Sequence, residues 1–156
     1  MRKHTTRRPH SADPGAFLRA IGMQQQLDDT QQVDLTLGVR AAVLAMRNGV
    51  GLEDHVHTLA SAINVALVLC EQGAGREFQD AIIAGQMALM RTIEGGKRTG
   101  QWGFDGPALA EVDQSLAIYE AQLAAVPRIA ARDAVREVMR RVQQGHVFEV
   151  VRERVV

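Results

Sequence analysis

Glu53-Asp54-His55-Val56-His57-Thr58-Leu59-Ala60-Ser61-Ala62-Ile63-Asn64-Val65-Ala66-Leu67-Val68-Leu69-Cys70 is the stretch that decides the fold. Val56, Leu59 with Ala60, Ile63, Leu67 and Cys70 recur at intervals of three or four, the spacing of one helix face. Val65, Val68 and Leu69 add apolar surface outside that stripe. The pattern therefore predicts a central helix from about Leu52, covered on more than one side. Glu53 and Asp54 in its first turn favour the positive end of the helix dipole, and Gly73 and Gly75 supply the break after it.

Further helices follow on both sides. Upstream, Asp29 and Gln32 have the spacing of a capping box, which predicts a helix from about Asp29 to Asn48 carrying Val33, Leu37, Val43, Leu44 and Met46. Asp13-Pro14 reads as an N-cap followed by proline at the first helical position, opening a short helix through Phe17, Leu18 and Ile21 to Gly22. Downstream, a helix is predicted from about Arg76 to Glu94 with Phe78, Ile82, Met87, Leu89, Met90 and Ile93 inward. A glycine-rich connection follows over residues 95–106, in which Gln101-Trp102-Gly103-Phe104 reads as briefly extended. Asp105-Gly106-Pro107 starts the next helix, with Leu109, Val112, Leu116, Tyr119 and Leu123 on one face. Pro127 kinks that helix or opens a sixth, which carries Ile129, Val135, Val138, Met139 and Val142 and stops before Gly145. Gly38 and Gly85 interrupt two helices and are expected where a neighbouring backbone approaches closely.

Short turns between long helices mean antiparallel neighbours. The expected fold is all-α: a single-domain antiparallel bundle of five to six helices over residues 13–145. A flexible basic arm over residues 1–12 precedes it and a Val-rich C-terminal extension over residues 146–156 follows. That extension has the composition of a short strand, to be paired with Trp102 to Phe104.

At 156 residues the chain is the size of one domain with one core. No apolar run approaches the length of a membrane span. The N-terminus lacks the apolar stretch of a secretory signal, and Cys70, the single cysteine, has no partner for an internal disulfide, so a cytoplasmic location is expected. Arg outnumbers Lys 16 to 2, a bias that fits a GC-rich bacterial genome. The net charge of zero hides a division. Residues 1–8 carry four basic residues and no acid, residues 9–127 carry 7 basic against 14 acidic, and residues 128–156 carry 7 against 4. Such asymmetry marks either an arm that binds polyanions or a tail that docks on its own acidic body.

Catalytic chemistry is not spelled out. Gly95-Gly96-Lys97-Arg98-Thr99-Gly100 lacks the spacing of a phosphate-binding loop: no glycine stands five residues before Gly96, and Arg98 is in place of the magnesium-binding hydroxyl. His55 and His57, two apart on a helix, point about 200° away from each other and do not share a metal ion. Cys70 falls in the apolar register of its helix and reads as a core thiol. Glu111, Asp113 and Glu120 have the spacing of an exposed face. The chain is expected to be no enzyme, with no catalytic residues, no metal and no cofactor.

Two basic features remain as candidates for nucleic-acid binding. Arg128, Arg132, Arg136 and Arg140 recur every four residues on the last helix, and Arg2, Lys3, Arg7 and Arg8 lie in the arm; such a row and arm can follow a phosphate backbone. Against this, Asp133 and Glu137 have helical spacings to pair with Arg136 and Arg141. No short recognition helix of a helix-turn-helix stands out.

The order Leu59-x3-Ile63-Asn64-Val65-Ala66, Ala84-Gly85-Gln86, Trp102-x-Phe104-x-Gly106 and Leu116-Ala117-Ile118-Tyr119-Glu120-Ala121-Gln122-Leu123 resembles a family of small helical hypothetical proteins of proteobacterial plasmids and integrated or phage-like elements, some labelled Fis-like regulators. The resemblance covers roughly residues 30 to 150. It implies a helical fold and an accessory role on a mobile element, and it carries over no catalytic residue. The Fis-like label asks for a compact C-terminal helix-turn-helix, where this chain has one arginine-rich helix and a Val-rich tail. The reading is thus a non-enzymatic interaction protein that binds a protein partner or itself. The alternative is a nucleic-acid-binding transcriptional regulator using the arm and the arginine row.

Overall fold

The structure, a computed structural model, describes residues 29–145, with side chains from residue 36 onward. The basic arm with Arg2, Lys3, Arg7 and Arg8, the helix expected at Asp13 to Gly22, the side chain of Val33 and the C-terminal extension with its strand all lie outside the described residues. Within them the chain is all-α: α1 (Asp29–Arg47), α2 (Glu53–Glu71), a single 3-10 turn (Arg76–Phe78), α3 (Gln79–Thr99), α4 (Gly106–Ala125) and α5 (Arg128–Gln143). No described helix is long and apolar enough to cross a membrane.

α2 is the axis of the bundle. Every residue from Ala62 to Cys70 is buried, and the helix packs against α1, α3, α4 and α5. The apolar residues outside its main stripe are what require this sheath. At its start the Leu52 amide donates to His55 Nδ1 at 2.9 Å while the His55 amide donates to the Leu52 carbonyl at 3.0 Å, so His55 closes the first turn. Its neighbour His57 is exposed and lies 3.5 Å from Glu53, one turn back.

α3 and α4 form the closest pair, and Gly85 is the reason. A Cβ there would collide with Ser115 Oγ, and would lie 2.8 Å from Ser115 Cβ and 3.3 Å from the Glu111 carbonyl. The fully buried Ser115 hydroxyl fills this notch, 3.0 Å from the carbonyls of both Ala81 and Glu111. Gly38 does not do the same: a Cβ there meets nothing within 4 Å, so α1 is not interrupted for close packing. The glycine-rich loop also departs from its sequence reading. Gly95 to Thr99 continue α3, because Gly96 leaves room for the Trp102 indole to lie against the helix, and Gly100, with φ of 73°, ends it instead. Trp102 then makes an isolated antiparallel bridge with Gly51.

Asp105 caps α4, its carboxylate accepting from the Ala108 amide at 2.7 Å with Pro107 in the first turn. Pro127 opens a separate helix and does not kink α4. Buried polar groups tie the layers together: Gln86 Nε2 donates to Asn64 Oδ1 at 2.7 Å, and Gln122 Nε2 donates to the carbonyls of Ala66 at 3.0 Å and Ala74 at 2.9 Å. Cys70 is a core thiol, its Sγ 2.9 Å from the Gly75 carbonyl, and burial raises its pKa.

Candidate interaction surface on α5

α5 is the helix on which the arginine row sits. Ala131, Ala134 and Val138 are its buried residues. Val135, Met139 and Val142 are 43%, 57% and 47% exposed. The small alanines win the seam because they let α5 approach α2 closely, which leaves the bulkier side chains outside. By helix geometry the exposed strip lies roughly 70° around from the buried seam, and Arg132 with Arg136 lies about 70° further on. From the bundle outward, α5 thus presents an alanine seam, an apolar strip and a basic edge.

The arginines of the row are not equivalent. Arg132 Nη2 lies 2.9 Å from Asp133 Oδ1. Arg140 Nη2 donates to Glu137 Oε1 at 2.6 Å and its Nε to Oε2 at 2.8 Å. Arg141, beside the row, reaches both Glu137 at 2.8 Å and Glu71 of α2 at 2.7 Å, and so ties α5 to the axis. Glu137 pairs with Arg141 as its spacing predicts, whereas Asp133 takes Arg132 and not Arg136. Hydrogen bonds from Arg140 and then Arg141 hold the Glu137 carboxyl down at about 2. Arg136 is exposed and makes no ion pair with the described residues. Three of the five arginines on α5, Arg132, Arg140 and Arg141, are therefore paired with Asp133, Glu137 and Glu71, which cancel part of the positive charge.

The acids of α4 do not hold Arg132, Arg136 or Arg140. Glu120 and Asp113 are taken by Arg40 of α1, at 2.6 Å each, and Glu111 by Arg91 of α3 at 2.6 Å. Arg40 also reaches the second Glu120 oxygen at 2.9 Å, and these bonds raise its pKa further above the usual range. The acids of α4 thus clamp α1 and α3 in place and leave the outer face of α5 to solvent. Of the surface residues, sequence reasoning found the arginines and missed the exposure of Val135, Met139 and Val142. The signal for it was the pair Ala131 and Ala134, which offers a second and tighter inward face.

Among the described residues, no group of three His, Cys, Asp or Glu side chains is placed to hold a metal ion. A comparison with known proteins finds no matching family model, no matching curated protein and no matching solved structure.

Proposed function

We propose that the chain is a non-enzymatic interaction protein that binds another protein through the solvent face of α5, as an accessory protein of a bacterial mobile element. The observation that supports the binding mode is the apolar strip of Val135, Met139 and Val142 set beside Arg132 and Arg136. Three adjacent half-exposed apolar side chains on one helix face form the apolar core of an interface, and the arginines form its rim. Pairing of Arg132 with Asp133 and of Arg140 with Glu137 weighs against a polyanion, which binds in proportion to uncompensated cations. The mobile-element setting rests on the sequence resemblance alone.

The test compares the intact chain with Val135→Asp plus Met139→Asp and with Arg132→Ala plus Arg136→Ala, in quantitative partner capture and in titration against duplex DNA at several salt concentrations. The reading expects capture of a specific protein to fall by about tenfold or more in the first variant and by less in the second. Duplex-DNA affinity that drops steeply with salt, vanishes in the arginine variant and survives the aspartate variant would replace it with the nucleic-acid reading.

A further inference from the structure

The strip on α5 has one sign of charge beside it. Val135, Met139 and Val142 run in single file along two turns, about 10 Å of helix. Arg132, Arg136 and Gln143 lie about 70° round from this line, on the side away from the bundle, whereas Asp133 and Glu137 lie about 160° from it, on the opposite side of the helix. A ligand laid on the strip therefore meets cations at its open edge and no acid of α5. Arg136 is exposed and makes no ion pair with the described residues. The bond from Arg132 to Asp133 joins exposed neighbours, and a carboxylate held in a drier interface can replace it.

We infer that the strip takes an acidic amphipathic helix of a partner protein, an inference that rests on the interaction reading of α5 and names the chemistry of its partner. A single-file line of apolar side chains two turns long is matched by another such line, at i, i+3 or i+4 and i+7 of a second helix laid along it. Glu or Asp on the outer flank of that helix then faces Arg132 and Arg136, whose planar guanidinium groups pair with carboxylates two bonds at a time. A second copy fits less well. Two α5 helices packed antiparallel about Met139 set Arg132 and Arg136 of one against the same two residues of the other, so like charges line the edge where an acidic helix brings opposite ones. A nucleic-acid duplex offers phosphates to the arginines but sets a charged backbone against Val135 and Met139.

The experiment titrates the full chain with three labelled helical peptides of equal length. The first has a leucine at alternate third and fourth positions and Glu on its flanks, the second has Lys in place of Glu, and the third has the residues of the first reordered so that no stripe forms. The Glu peptide should bind at least about tenfold more tightly than either of the others, and lose about tenfold or more on Val135→Asp plus Met139→Asp. Arg132→Glu plus Arg136→Glu should weaken it about fivefold or more and strengthen the Lys peptide, a gain that unfolding cannot produce. The Lys peptide or the reordered peptide binding as tightly as the Glu peptide overturns the inference, as does no binding of the Glu peptide at about millimolar concentration. A dimer of the chain alone that Val135→Asp plus Met139→Asp abolishes assigns the strip to a second copy and also overturns it. The two levels fail separately. Protein capture lost in the aspartate variant but unchanged in the charge-reversed one ends the acidic-partner inference and leaves α5 as the binding face, whereas capture unchanged in both ends the reading beneath it.

Discussion

α2 and α5 are both rich in aliphatic residues, yet one is the axis of the bundle and the other its rim. In α2 valine, leucine and isoleucine surround the helix and all of them are buried. In α5 the buried positions are two alanines and one valine, and the larger side chains stay outside. The number of apolar residues in a helix therefore does not say which of them fold the protein. What decides is how many neighbours the helix has. α2 is covered by four helices, whereas α5 rests on α2 and has room for one close seam, which small side chains occupy best.

The comparison breaks most sharply at α2. Ile63→Ala empties a fully buried site and should cost about 2–5 kcal/mol in urea denaturation. Gly85→Ala comes next, at about 2–3 kcal/mol, because the added methyl collides with Ser115 and the Glu111 backbone between α3 and α4. The contrasting Gly38→Ala should stabilise by about 0.5–1 kcal/mol, since α1 has open space there and alanine favours the helix. At α5, Val135→Ser, Met139→Ser and Val142→Ser should each shift stability by about 0.5 kcal/mol or less. A loss comparable to that of Ile63→Ala would place the strip in the core and remove the distinction between the two helices.

The smallest effect is acidic and local. Glu137 has its pKa depressed in the folded state to about 2, by Arg140 first and Arg141 second. A depressed folded pKa means that this pairing contributes to stability above the ordinary carboxyl range near ~4.3, and that the contribution is lost as pH falls from there through about 2. A side-chain NMR titration should show the low midpoint for Glu137. It should move up toward the ordinary range when Arg140 is changed to Ala.

Much of this was legible in the sequence. The three-and-four spacing from Val56 to Cys70 identified α2 as central, and the Asp105 cap and Pro127 break placed the ends of α4 where they are found. Composition misled at Gly95-Gly96, where glycine reads as a loop but serves as a flat site for Trp102 inside α3. It misled again at Phe78, Met87 and Met139, which are bulky and apolar but exposed. Helical periodicity gives the azimuth of each side chain without saying which azimuth has a neighbour. The ion pairs show the same limit: Glu137 with Arg141 follows from spacing on one helix, while Arg40 with Glu120 joins residues 80 apart and no local pattern announces it.

The most direct test of α5 as a recognition helix is partner capture by Val135→Asp plus Met139→Asp, measured beside its urea midpoint. The account predicts an unfolding free energy within about 0.5 kcal/mol of the unsubstituted chain together with capture reduced about tenfold or more. Unchanged capture by a variant of unchanged stability would contradict it.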